Sequence, residues 1–253
     1  MQLNYLIRGA GDPIILIHGL FGSASNLGIV ARALAPHYST YSLDVRNHGK
    51  SPHCDTMSYR EMAADIIDFL DSQGIGQCPL LGHSMGGKIA MQVALDYPDR
   101  VSRLIIADVA PVDYPPHHQD TLAGLAAVAA ATVTSRHQAD AILAESVTEP
   151  GVRAFLLKSL ERGEDGTFHW LLNREALTSN YKQLGAANQG KSFTGPVLFI
   201  KGGDSNYITD EHQPAVAELF PNAQLKIIEG TGHWLHAEKP DLFNKVVLRF
   251  LLG

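Results

Sequence analysis

The residues best able to do chemistry surround Ser84, in Leu80-Leu81-Gly82-His83-Ser84-Met85-Gly86-Gly87-Lys88. The segment reads Gly-x-Ser-x-Gly, with the apolar run Cys78 to Leu81 ahead of it and an apolar-periodic stretch from Ile89 to Leu95 behind it. A strand, a sharp turn and a helix in that order force the serine onto a strained elbow with its hydroxyl exposed. At positions 82 and 86 a side chain would collide with the neighbouring strand and helix as the backbone reverses, which explains glycine at both. A serine hydroxyl is a weak nucleophile at neutral pH, so it requires an adjacent base that a third group orients.

Twelve histidines are available for that base. His233 is the preferred one, because Gly230-Thr231-Gly232-His233-Trp234 follows the last expected strand and precedes the final helix. Ligands bind in open α/β sheets where strand C-termini converge, so a loop at that edge can bring His233 to Ser84. His83 adjoins Ser84, but a tight elbow turns its side chain elsewhere; His236 competes, and His18 and His48 belong to other motifs. Asp108 and Asp204 both end strands on the right edge and both keep the order nucleophile, acid, histidine. Asp108 is the preferred acid and Asp204 the alternative, whose other reading is an Asx-turn or helix cap. The transition-state oxygen needs donors, for which the backbone N–H groups of Met85 and Leu20 are the candidates; losing one such donor costs ~2.7–4 kcal/mol. Candidate substrate contacts are His18, Phe21, Tyr114, Trp170, Tyr181 and Trp234.

These residues require an α/β framework. Strands are predicted at Leu3–Arg8, Pro13–Ile17, Ser39–Leu43, Cys78–Leu81, Arg103–Ala107, Val197–Lys201 and Ala223–Ile228, with helices at Leu27–Leu34, Tyr59–Gln73, Gly87–Tyr97, Gln213–Leu219 and Asp241–Leu251. In the second helix Met62, Ile66, Phe69 and Leu70 form an apolar stripe at helical spacing. Strands alternating with helices imply a mostly parallel sheet covered on both faces. The alternation stops between about Pro111 and Phe193, where no strand is predicted and helices are expected around Thr121–Ala131, Arg136–Ser146, Val152–Leu160 and Arg174–Leu184. Residues 1–110 and 194–253 therefore read as the core and residues 111–193 as an inserted helical cap. The aromatic residues of that cap also have a plain packing role available to them.

The 253 residues, 45% hydrophobic and 18% charged with net charge -6, suit one large α/β domain. Mild acidity without a basic run argues against nucleic acid or an anionic membrane surface as partner. Cys54 and Cys78 have no metal-ligand spacing and form no disulfide framework, and no His/Asp/Glu cluster has ligand spacing, so neither metal nor cofactor is expected. The start of the chain lacks a basic region followed by a long apolar core. The run Leu122 to Val133 is shorter than the ~20 residues a membrane span needs. A cytoplasmic location is the expectation; oligomeric state is not legible.

Over its whole length the chain resembles the α/β-hydrolase superfamily, and more narrowly the YbfF-type esterases. The narrower resemblance rests on His18-Gly19-Leu20-Phe21-Gly22-Ser23 with Asn26-Leu27-Gly28, on Asp44-Val45-Arg46-Asn47-His48-Gly49-Lys50-Ser51, on the Ser84 segment, on Asp108-Val109-Ala110-Pro111-Val112-Asp113-Tyr114 and on Gly232-His233-Trp234-Leu235-His236-Ala237-Glu238-Lys239-Pro240. The superfamily more often has glycine where this chain has Asn47. It also often places its acid three positions after a glycine in the loop following the Val197–Lys201 strand; counted from Gly202 that slot holds Ser205, with Asp204 one short. What the resemblance implies is a serine esterase or thioesterase on acyl esters or acyl-CoA thioesters, its acid after the Asp108 strand, under a helical cap. Serine at the elbow argues against dehalogenase and epoxide-hydrolase chemistry, which usually requires aspartate there. An acyltransferase or perhydrolase would use the same triad, and a non-catalytic binder of small ligands is the reading from another class.

Overall fold

The computed structural model describes residues 1–253. Its strands in chain order are β1 (Tyr5–Arg8), β2 (Asp12–Ile17), β3 (Tyr38–Leu43), β4 (Cys78–His83), β5 (Val101–Ala107), β6 (Leu160–Arg162), β7 (Phe168–Trp170), β8 (Val197–Gly202) and β9 (Ala223–Ile228). Seven form one sheet in the order β1-β3-β2-β4-β5-β8-β9, while β6 and β7 pair only with each other. Only β1 runs antiparallel; every other pairing in the large sheet is parallel. The helices are α1 (Gly28–Leu34), α2 (Tyr59–Ser72), α3 (Met85–Asp96), α4 (Gln119–Ala130), α5 (Arg136–Leu143), α6 (Pro150–Leu156), α7 (Arg174–Ser179), α8 (Tyr181–Gly185), α9 (Gln213–Leu219), α10 (Leu235–Glu238) and α11 (Pro240–Leu252). None is long and apolar enough to cross a membrane.

Side chains of a strand alternate between faces, and β2 divides its apolar run accordingly. Ile14 and Leu16 pack with Val30 and Leu34 of α1 and with Phe243 and Val247 of α11. Ile15 and Ile17 join Met62, Ile66 and Phe69 of α2 and Ile89 and Val93 of α3 on the other face. Burying each such side chain is worth ~1.5–3 kcal/mol, and continuous apolar strands are what a sheet covered on both faces requires. Ser58 starts α2 through a reciprocal cap, accepting from the Glu61 amide at 3.3 Å while Glu61 accepts from the Ser58 amide at 2.8 Å.

Between β5 and β8 the chain leaves the sheet for α4 to α8 and the β6–β7 hairpin. The hairpin corrects the expectation of no strand there: three-residue strands are too short to show a period, although Gly163-Glu164-Asp165-Gly166 is a recognisable turn. The helix expected over Arg174–Leu184 breaks in two at Asn180, whose Nδ2 donates to the carbonyls of Asp55 (2.7 Å) and Ala176 (2.8 Å). Where this excursion departs and returns, Lys88 of α3 ties it down. The Lys88 side chain is buried, and its Nζ donates to the Val112 carbonyl at 2.6 Å and to those of Gly185 and Ala186. Nζ also lies 5.5 Å from the centre of the Tyr59 ring and 5.0 Å from that of Tyr114. Burial pulls this ammonium down to about 7; the carbonyls and ring faces are what satisfy its charge.

The loop after β3 is held by Arg46, whose Nε and Nη2 donate to the Asp65 carboxylate at 2.6 and 2.9 Å. Both partners are buried. Breaking a buried pair from one side leaves an uncompensated charge. Asp65→Asn should therefore lower unfolding free energy by about 3 kcal/mol, the low end for such pairs, since Glu61 remains 3.5 Å from Arg46. Urea unfolding measures this, and a loss within error of zero contradicts it.

Candidate active site

Ser84 joins β4 to α3 with φ 55° and ψ -123°. A non-glycine residue held there stores on the order of 1–3 kcal/mol. Its surroundings impose it: the Ser84 amide donates to Ala107 O at 3.0 Å, and Ser84 O accepts from the amides of Gly87 (2.8 Å) and Lys88 (3.1 Å). A Cβ on Gly82 would sit 2.1 Å from Gly86 O, and one on Gly86 2.2 Å from Ile17 O. Hence the two glycines are obligatory to this turn.

His233 arrives on the loop between β9 and α10. Its Nδ1 lies 2.8 Å from Asp108 Oδ2 and its Nε2 3.0 Å from Ser84 Oγ. A carboxylate only accepts, so Nδ1 carries the proton and Nε2 is left to accept from the serine hydroxyl. Asp108, at the end of β5, has no exposed surface. Its Oδ1 accepts from the Gly202 amide at 2.9 Å, and Oδ2 also accepts from Ser205 Oγ. Asp204 is exposed, and its amide donates to Thr231 O at 2.9 Å. The structure therefore brings Asp108 and not Asp204 to His233. Ser205, whose slot drew attention in the sequence, reaches the carboxylate as a donor.

The Leu20 and Met85 amides donate to no protein acceptor, so both N–H groups are free for an oxyanion. The next amide is occupied: Phe21, at φ 63°, donates to His48 Nε2 at 3.1 Å. His48 Nδ1 donates to Arg46 O at 3.0 Å, fixing the tautomer that leaves Nε2 as acceptor. That arrangement needs a neutral ring, and burial pushes His48 down to about 3. His18 is likewise enclosed, donating from Nδ1 to Gly19 O (2.8 Å) and accepting at Nε2 from the Val45 amide (3.2 Å). His83 donates to His233 O at 2.8 Å, and its ring lies 4.4 Å from that of His236. Burial holds His83 well below its ordinary range and takes His236 to about 4. Neither competes as base at neutral pH.

A cavity of about 90 Å³ opens beside Ser84, lined by Leu20, Met85, Tyr114, Tyr181, His118 and Tyr207 among others. Of the six substrate contacts expected, Tyr114 and Tyr181 stand in this wall. Trp234 and His18 line a neighbouring cavity of about 270 Å³ with Phe155 and Lys158. Phe21 is buried, its ring edge-on to His118 at 5.6 Å. Trp170 is a correction: it is buried among the helices, donating from Nε1 to Leu125 O at 3.0 Å, because a buried indole N–H needs an acceptor and α4 supplies one. Sequence reasoning missed Tyr207, His117, His118 and Lys88. Only the Pro115-Pro116-His117-His118 run offered a signal, as a rigid turn presenting two imidazoles.

The sequence pattern of the alpha/beta hydrolase fold family matches residues 12–240. Esterase YbfF of Escherichia coli (strain K12) is 40% identical, covering 99% of this chain and 99% of its own. The sn-1-specific diacylglycerol lipase ABHD11 of Mus musculus is 39% identical over 99% of this chain and 85% of its own. Among solved structures, a marine microorganism esterase superposes with TM-score 0.95 at 38% identity, covering 98% of this chain and 99% of that one.

Two outcomes follow from this geometry. Asp108→Asn should reduce turnover far more than Asp204→Asn, since the amide removes the counter-charge of an imidazolium and can invert its tautomer; the comparable change in a serine protease costs ~10⁴. Equal losses in folded variants would reassign the acid. Stability should also fall on acidification. Unfolded histidine takes up a proton near 6.5, whereas buried His48 and His236 resist until about 3 and about 4. Between those limits the unfolded state binds more protons, so unfolding becomes easier as pH drops from 6.5 towards 4, by on the order of 3 kcal/mol for each ring. Urea midpoints from pH 7 to 4 read this directly, and His236→Gln should flatten the slope; an unchanged slope would refute its share.

Proposed function

The chain belongs to the alpha/beta hydrolase fold family, and on that footing we propose that its ester hydrolysis runs through Ser84, His233 and Asp108 by way of an acyl-enzyme. It is a carboxylic ester hydrolase, as its relatives named esterase and diacylglycerol lipase are. The observation that carries the residue assignment is the unbroken line from Ser84 Oγ through His233 to Asp108, at 3.0 and 2.8 Å.

In this reading Ser84 Oγ attacks the acyl carbon as His233 Nε2 takes its proton. Oxygen charge develops against the N–H groups of Leu20 and Met85, where fixed donors act without reorganisation. The tetrahedral centre collapses, the leaving alcohol or thiol takes the proton from His233, and the acyl group stays on Ser84. Water repeats the sequence with His233 as base, releasing the acid. Asp108 holds the imidazole in the required tautomer and offsets its transient charge.

Residues 111–193 serve in this proposal as the cap over the site, contributing Tyr114, His118 and Tyr181 to the cavity wall. Its size favours short acyl groups. An apolar cavity of 150 Å³ holds benzene, and the one beside Ser84 measures about 90 Å³. Short-chain esters, and thioesters including acyl-CoA, are the proposed substrates.

A fluorophosphonate should label Ser84 in wild-type protein and leave Ser84→Ala unlabelled, and intact mass after a short ester pulse should show the added acyl group. Ser84→Ala and His233→Ala should each lose several orders of magnitude in turnover, the double variant little more. From butyryl to dodecanoyl esters of one alcohol, kcat/KM should fall about tenfold or more. A preference for long chains refutes the acyl assignment, and acyl transfer to an added alcohol in preference to water makes the enzyme an acyltransferase.

A further inference from the structure

Tyr207 lies in the loop after β8, in no motif of the sequence. Its ring is stacked on the imidazole of His233, with centroids 3.8 Å apart and planes 16° from parallel. Three bonds fix it. The Tyr207 amide donates to Ser205 Oγ at 3.2 Å, the same hydroxyl that donates to Asp108. The Tyr207 carbonyl accepts from the Tyr114 hydroxyl, which accepts from the Ala110 amide at 2.8 Å. The Tyr207 hydroxyl meets His117 Nε2 at 2.5 Å.

The direction of that last bond follows from its neighbour. His117 Nδ1 lies 2.8 Å from Pro115 O. A carbonyl only accepts, so Nδ1 carries the proton and Nε2 of the neutral ring accepts from the tyrosine. Burial raises the Tyr207 phenol to about 12, which keeps that donor proton in place. His117 lies just past Pro111, where the chain has left the sheet. The stacked ring therefore links the overhanging segment directly to the imidazole.

We propose that Tyr207 is a positioning residue for His233: its ring fixes the imidazole plane between Ser84 and Asp108 and stabilises the imidazolium, and its bond to His117 couples that placement to the overhanging segment. The inference rests on His233 being the base. A ring face carries the negative part of the aromatic quadrupole, and a cation within about 6 Å of the centroid is attracted to it. The other groups facing His233 leave that role open. Ser84 and Asp108 occupy its two nitrogens, and His83, with its centroid 4.8 Å away, is kept neutral by burial, as are His236 and His118.

The test is the acidic limb of kcat/KM against pH for an activated short-chain ester, with an NMR titration of the His233 imidazole in the Ser84→Ala background. Tyr207→Leu, which keeps apolar cover but removes the ring, should lower the midpoint by about half a pH unit and reduce kcat. Tyr207→Phe should leave the midpoint unchanged. On kcat, Tyr207→Phe and His117→Ala should not be additive, because both delete one bond. Should Tyr207→Leu fail to fold, increasingly fluorinated phenylalanines at position 207 replace it, and the midpoint should fall stepwise as the ring face loses negative charge. An unmoved midpoint in Tyr207→Leu or across the fluorinated series, or full additivity, overturns the proposal. If His233→Ala retains turnover, the base assignment itself has failed; if His233→Ala is inactive while the midpoint stays fixed, only the role of Tyr207 has failed.

Discussion

A carboxylate with no exposed surface stands at the end of β5, and much of the site is arranged around making it tolerable there. Burying an unpaired charge costs several kcal/mol even after relaxation, so Asp108 persists only with its donors in place. They come from three stations: the Gly202 amide as β8 ends, the Ser205 hydroxyl in the following loop, and His233 Nδ1 after β9. Each bond locates a separate stretch of chain against the same two oxygens. Gly202 is glycine for a related reason, since a Cβ there would lie 2.2 Å from Gly232 O in the histidine loop. The requirement that one charge be satisfied thus sets the spacing of the loops that present the site.

The same need to satisfy buried polar groups holds the excursion between β5 and β8. Lys88 is one turn along α3 from Ser84, and its ammonium reaches carbonyls on both the outgoing stretch, at Val112, and the returning one, at Gly185 and Ala186. On the same helix Gln92 donates to Gln189 O at 2.9 Å, and Asn188 donates back to Lys88 O at 2.8 Å. The helix that carries the elbow is therefore also the post to which the excursion is lashed. Displacing residues 185–189 would strand buried donors on α3, at a cost of about 1–3 kcal/mol for each one left unsatisfied. The cavity wall and the turn at Ser84 are consequently tied to the same helix.

What was legible in the sequence is what local chemistry dictates. Glycine at 82 and 86 announces the elbow because no other residue fits, and the continuous apolar run of β2 announces a sheet buried on both faces. His233 was legible from its place between the last strand and the last helix. Asp108 and Asp204 were separable only by three-dimensional placement, since both follow strands on the same edge and differ in whether the side chain turns inward. His48 and Tyr207 act through partners far away in sequence; His48 sits in a recognisable block that does not show its role, Tyr207 in none, and the slot at Ser205 pointed to an acid rather than to a donor. Trp170 and Tyr181 look equivalent as aromatic residues of one helical insertion; the indole found an acceptor on α4 while the phenol turned to the cavity, accepting the amides of His117 and His118. Asn47 was visible as a departure from glycine, and its φ of 65° shows why asparagine serves.

Five imidazoles crowd the end of this sheet, and the proposed mechanism needs one of them to gain charge while the others never do. Burial drives His18, His48, His83 and His236 towards neutrality. His18 and His48 give their acceptor nitrogens to backbone amides of Val45 and Phe21, bonds that exist only while the rings are neutral. His83 spends its proton on a carbonyl, and His236 Nδ1 has no partner at all. Only His233 has a carboxylate on one nitrogen and an aromatic face across its plane. A carboxylate and a ring face both attract a cation, and both are supplied by residues, Asp108 and Tyr207, that Ser205 joins through a single hydroxyl. The selectivity among chemically identical rings is thus a matter of counter-charge placement. The buried neutral rings tie down the backbone on either side of Ser84: His18 bonds Gly19 O and the Val45 amide, His48 the Phe21 amide, and His83 the carbonyl of His233 itself.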